Sequence, residues 1–132
     1  MLAMVLLTAS LAVAGAHGLS AAHLVLPSLA RLGNEVKMAC TFELDEGEVV
    51  YSIKWFKDEQ LFLTVTPGDQ PPLKVVELPG IFVDRKGTAY NKLVLGRVEF
   101  ETAGTYRCLV SLDGPSFATA RSTKVLKVVK ER

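Results

Sequence analysis

The chain is poor in the side chains that do chemistry: its 132 residues include two histidines and two cysteines. Both histidines, His17 and His23, sit near the N-terminus, far in sequence from Cys40 and Cys108. No zinc-ligand spacing and no thiol–imidazole pair can be read from such a distribution. A Gly-rich phosphate loop is also lacking. Hydrolysis or group transfer needs a nucleophile, a base and an orienting group within reach of one another. These absences argue against an enzyme and give no reason to expect a cofactor, a metal or a small-molecule substrate. Charge of one sign is missing too: 15 Lys and Arg against 14 Asp and Glu leave a net charge of +1, so no broad basic field recommends nucleic acid. No Asn-x-Ser/Thr sequon occurs, so no N-glycan is expected to shield the surface.

Only one long apolar run is present. Residues 1–16, MLAMVLLTASLAVAGA, carry no charge and end in small residues, which reads as an apolar core followed by a signal-peptidase site. A buried helix is the alternative reading. The run is too short to span a bilayer, and no stop-transfer charges follow it. Secretion puts the two cysteines in an oxidising compartment, where a structural disulfide persists. The expected location is therefore extracellular, either secreted or associated with the cell surface. Residues 17–132 then form one domain.

Trp55 lies between Cys40 and Cys108, and Tyr106 stands two residues before the second cysteine. An immunoglobulin-type β-sandwich needs this arrangement: an inter-sheet disulfide packed on one buried tryptophan, with a tyrosine at the corner leading into strand F. The fold expected is all-β, with two antiparallel sheets joined by a Cys40–Cys108 bridge and Trp55 and Tyr106 in the core. Period-two alternation places the strands. Val36, Met38, Cys40 and Phe42 share the inner face of strand B. Tyr51, Ile53 and Trp55 point inward on strand C, with Ser52, Lys54 and Phe56 outward. Tyr106, Cys108 and Val110 point inward on strand F, with Arg107 and Leu109 outward. Leu93, Leu95 and Val98 supply strand E and the turn beyond it, and strand G lies within 120–129. The long interval from 58 to 92 predicts a variable-type sandwich, with C′ over 61–66 and C″ over 73–78. Prolines and Gly80 mark the turns.

The runs YSIKWFK at 51–57, DQPP at 69–72, LPGIFVD at 78–84, TYRCLVS at 105–111 and GPSF at 114–117 resemble the first immunoglobulin domain of the arthropod beaten path family. The DQPP, LPGIFVD and PSF elements are the family-specific ones. The resemblance implies an extracellular neuronal protein of axon guidance and synaptic partner choice, and a sidestep-like immunoglobulin receptor as its partner. Two departures stand out. Thr102 occupies the position, six residues before Cys108, where variable-type domains commonly carry an aspartate paired with an arginine at the start of strand D. Arg85 is thereby left to solvent. Family members usually continue into a second domain and some end in a membrane attachment. This chain stops at Arg132 with no second cysteine pair and no hydrophobic anchor signal, so a fragment, an incomplete product and a short secreted form stay open.

Side-chain direction nominates a contact surface on the outer G-F-C-C′ face. Phe56 and Leu109 form its expected apolar centre, joined by Phe62 or its neighbours Leu61 and Leu63 on C′. Lys54, Lys57, Glu59 and Arg107 form the rim. Buried aromatic or arginine anchors inside a polar rim are the composition of a specific interface. Homophilic adhesion is the second expectation. A soluble immune-type domain reading a glycan is the third, and there the loops at 43–49 and 111–116 would matter more. Asp45, Glu46 and Glu48 make an acidic loop rim that is either solvated or partner-specific. The lysines near the C-terminus read as solvation of an edge.

Overall fold

A computed structural model describes Leu19 and residues 21–130. The proposed signal segment at 1–16, His17 and Arg132 lie outside the described residues. Among the described residues nine strands form two sheets: β1 (Ala22–Val25), β2 (Leu29–Arg31), β3 (Val36–Phe42), β4 (Val50–Lys57), β5 (Gln60–Val65), β6 (Leu73–Val75), β7 (Lys92–Leu95), β8 (Gly104–Leu112) and β9 (Thr119–Val129). One sheet has the order β1-β3-β7 and the other β2-β9-β8-β4-β5-β6. In the letters of the sandwich these are A-B-E and A′-G-F-C-C′-C″. Attachment of C′ and C″ to the G-F-C sheet is the variable-type addition. Every pairing is antiparallel except β2 with β9, which run parallel.

Two strands escaped the sequence reading, A and A′. Pro27 separates them, and because proline cannot donate to a ladder the chain leaves strand β3 there and joins β9 instead. Strand D is reduced to isolated bridges, Val83 with Leu95 and Leu78 with Ile81.

Alternation fills the core as expected over most of the chain. Val36, Met38 and Cys40 from β3 meet Ile53 and Trp55 from β4, Leu93 and Leu95 from β7, and Tyr106, Cys108 and Val110 from β8, all buried. The Cys40–Cys108 disulfide joins the two sheets across a sequence separation of 68. A loop of that length stabilises the fold by about 4 kcal/mol in the chain-entropy picture. Trp55 is fully buried, and its indole Nε1 has no hydrogen-bond partner among the described residues. Ser122, an inward polar residue of β9, is satisfied by the Leu24 N–H at 2.9 Å, which also ties the A strand to the opposite sheet.

Thr102 takes over the corner that an aspartate would otherwise hold. It ends a 3-10 turn, Phe100–Thr102, and is wholly buried. Its hydroxyl donates to the Gly80 carbonyl at 2.7 Å and accepts from the Glu99 N–H at 2.8 Å. The Tyr106 hydroxyl donates to the Thr102 carbonyl, which closes the tyrosine corner. Burial, with a smaller contribution from the Asp58 charge, pushes the Tyr106 phenol far above its ordinary pKa. Gly80 is held at φ +79, and a Cβ there would come within 2.7 Å of Glu101 Cβ and 2.8 Å of its backbone carbon. Only glycine fits against this turn. Arg85 is exposed, as expected.

At the β4–β5 hairpin, Asp58 and Glu59 form a two-residue loop with φ of 48 and 69. Positive φ at both central positions is the hairpin geometry whose twist matches the flanking strands. The Asp58 carboxylate accepts the Thr105 N–H at 3.0 Å and the Lys57 ammonium at 2.9 Å. Those two hydrogen bonds, the backbone one first, hold its pKa below the ordinary carboxylate value.

Two bulges decide faces that the sequence pattern assigned wrongly in β4 and left open in β5. In β4 the pairing with β8 passes from Val50–Leu112 to Ser52–Ser111, so Tyr51 is an extra residue. Expected inward, it is exposed at 55%, and Ser52, expected outward, is buried. In β5 the pairing with β4 passes from Leu63–Trp55 to Leu61–Phe56, so Phe62 is the extra residue. Expected at the contact surface, Phe62 is fully buried and meets the Tyr106 ring edge to face at 6.1 Å. A bulge shifts side-chain parity by one, and both corrections have that single cause.

Candidate recognition face

The outer surface of the six-stranded sheet is built from cross-strand rows. One row runs Thr123, Arg107, Phe56, Leu61 across β9, β8, β4 and β5, and the next runs Arg121, Leu109, Lys54, Thr64, Lys74 from β9 to β6. A third row joins Thr119, Ser111 and Ser52, but Ser52 is buried, and the exposed group beside it is the bulged Tyr51. Phe56, Leu109, Arg107 and Lys54 therefore share this face, as their parity predicted. Each is half-buried. Phe62 does not join them.

Phe56 is not bare. The Arg107 guanidinium lies 4.5 Å from its ring centre, a cation–π contact that covers the aromatic face. Leu61 and Leu109 flank this pair in the register. The most exposed aromatic groups at this end of the domain are elsewhere: Tyr51 at the bulge, and Phe117 at 71% exposure in the loop between β8 and β9. Phe117 has φ 54, and its ring lies so close to Gly114 that a Cβ there would come within 3.0 Å of it. The Asp113 N–H donates to the Val49 carbonyl at 2.9 Å, which brings the B–C and F–G loops side by side. Val49, also exposed, completes an apolar tip. Sequence reasoning missed this tip because the parity of Tyr51 pointed the wrong way.

The charged positions facing outward on β4, β5, β6, β8 and β9 are Lys54, Lys74, Arg107, Arg121 and, where β9 pairs with β2, Lys127. All are cations. Lys74 is paired with Asp69 at 2.9 Å. Among the described residues no carboxylate lies within ion-pair distance of Lys54, Arg107 or Arg121. Anionic side chains concentrate in loops instead, including Glu46 and Glu48 before β4 and Glu99 and Glu101 at the E–F turn.

A groove of ≈ 530 Å³ lies between the C′–C″ turn and the loop preceding β7, lined by Pro71, Pro72, Leu73, Arg85, Thr88 and Tyr90 among others. Ligand pockets combine apolar walls with converging polar groups. Here the Thr88 hydroxyl already accepts the Val94 N–H at 3.0 Å, and Arg85 is the one charged group lining the groove among the described residues. No group of three or more His, Cys, Asp or Glu could hold a metal among the described residues. No helix among them is long and apolar enough to cross a membrane.

Two sheets, a bridge between B and F, a tyrosine corner and the C′–C″ addition define a variable-type immunoglobulin-like sandwich, a fold that serves recognition. The chain belongs to the immunoglobulin domain family, whose model matches residues 27–119. Solved structures of the same fold include murine CRIg, with 14% identity, a TM-score of 0.59 and coverage of 86% of this chain and 100% of that one. A chain from a structure of T cell specificity and activation by the bacterial superantigen toxic shock syndrome toxin-1 has 18% identity and a TM-score of 0.60, covering 85% and 100%. The V domain of amphioxus IgVJ-C2 has 18% identity and a TM-score of 0.58, covering 76% and 97%. At such identities the likeness is one of fold. No curated protein sequence matches the chain significantly.

Proposed function

We propose that this domain is an extracellular recognition module that binds a protein partner through the outer face of its six-stranded sheet. The observation that carries the reading is the composition of that face: half-buried Phe56, Leu61 and Leu109 at the centre, Lys54, Arg107 and Arg121 around them with no ion-pair partner among the described residues, and exposed Tyr51 and Phe117 at one end. Aromatic and arginine anchors inside a polar rim are where binding energy concentrates. The beaten path resemblance narrows the partner to a sidestep-like immunoglobulin receptor. The similar solved structures support only the broader class, and they sit equally well with an immune-type domain that binds through its loops. Exposure of Phe117 and Val49 favours that second reading.

A binding screen of the mature domain against extracellular immunoglobulin receptors tests the proposal. Tyr51→Ala or Leu109→Ala should each weaken a captured receptor by roughly 30-fold if these residues are anchors. Retention of full affinity by both variants, each shown to be folded, would move the contact off this face. Loss with Phe117→Ala alone would assign it to the loops.

A further inference from the structure

The chain as a whole is close to neutral at +1, yet the outward positions of the G, F, C, C′ and C″ strands carry cations only. Such segregation cannot come from overall composition. It has a consequence for what the face can meet. In a two-fold contact between identical copies the same patch meets itself, so Lys54, Arg107 and Arg121 of one molecule would face the same three residues of the other. Like-charge juxtaposition across an interface is a device that rejects wrong partners. A complementary surface must supply carboxylates opposite these cations and an apolar recess for Tyr51 and Phe117.

We infer that the outer face takes a heterophilic protein partner whose docking surface is acidic, and that it excludes a second copy of this chain. The inference rests on the outer face being the binding surface. Lys54 and Arg121 act as charge selectors, and Arg107 does so while it shields Phe56. Tyr51 and Phe117 supply the apolar anchorage that separates a protein partner from an acidic polysaccharide, whose attraction would depend on the cations alone.

The test selects a random peptide library displayed on phage against the immobilised domain, and measures self-association by sedimentation. Selected peptides should be enriched in Asp and Glu together with a large apolar residue. Their binding should fall at least about tenfold with the double substitution Lys54→Glu, Arg121→Glu, and also with Tyr51→Ala. The wild-type domain should sediment as a monomer at micromolar concentration, and the doubly substituted domain should associate with the wild type in a salt-sensitive manner. Peptides that lose affinity with Tyr51→Ala but show no acidic bias would overturn this inference and leave the proposed function standing. Peptides indifferent to every substitution would overturn the use of the face itself. Wild-type dimers abolished by Tyr51→Ala would overturn the exclusion of self. A heparin fragment that binds more tightly than any peptide, and keeps its affinity in Tyr51→Ala and Phe117→Ala, would assign the face to an acidic glycan and overturn the protein partner.

Discussion

Thr102→Val should be among the most damaging nearly isosteric changes in this domain. The substitution keeps the volume of the side chain and deletes one oxygen. That oxygen currently satisfies two backbone groups, the Gly80 carbonyl at 2.7 Å and the Glu99 N–H at 2.8 Å. Thr102 is fully buried, so water cannot replace it without opening the corner. Leaving a buried polar group unpaired costs about 1–3 kcal/mol. Because the Glu99 amide is only part-buried, the sum should fall near 2–4 kcal/mol rather than at the upper bound of two full penalties. That would be a large fraction of a typical domain stability of about 5–15 kcal/mol. Thr102→Ser keeps the oxygen and loses one methyl group, which should cost about 1 kcal/mol. Urea denaturation of the oxidised protein measures both, with an unchanged slope as the sign that the native and unfolded states remain comparable. The reasoning fails if Thr102→Val lies within about 0.5 kcal/mol of wild type, the ordinary range of a surface change. It also fails if the serine variant is as damaged as the valine.

Gly80→Ala should cost at least about 2 kcal/mol, because a Cβ would meet Glu101 at 2.7 Å and the residue would be held at φ +79; thermal unfolding would show a fall in Tm of roughly 8 °C or more. The Asp58 carboxylate is stabilised in the folded state, so its pKa is depressed and its contribution is present above the unfolded value of about 3.8 and lost as pH falls through the lower folded value. The difference in Tm between wild type and Asp58→Asn should accordingly shrink as the pH is taken from neutral to below that range. A constant difference would show that the charge of Asp58 is immaterial and only its shape matters.

Sandwich class, disulfide pairing, core tryptophan and tyrosine corner could all be read from the sequence, because they depend on residue identity at fixed spacing and on a period-two pattern that repeats along each strand. Cys40, Trp55, Tyr106 and Cys108 would point inward under any plausible pairing of their strands. The long interval between strands C and E likewise announced C′ and C″ before any pairing was known. Thr102 was legible as a departure, but its replacement role was not, since the Gly80 carbonyl it binds lies 22 residues away. Tyr51 was misassigned because one extra residue in a bulge changes which side of the sheet a side chain occupies, and alternation has no memory of where that residue was inserted; the choice among Leu61, Phe62 and Leu63 was open in the sequence because a second bulge sets the register of C′. The split of A from A′ at Pro27 depended on which sheet edge was open to receive the chain. Composition reports only the sum of charges. The strands of both sheets carry cations, Lys37 and Lys92 included, but which of them stand in neighbouring rows of the outer face was decided by strand register, and register is settled when the two sheets pack their apolar sides together.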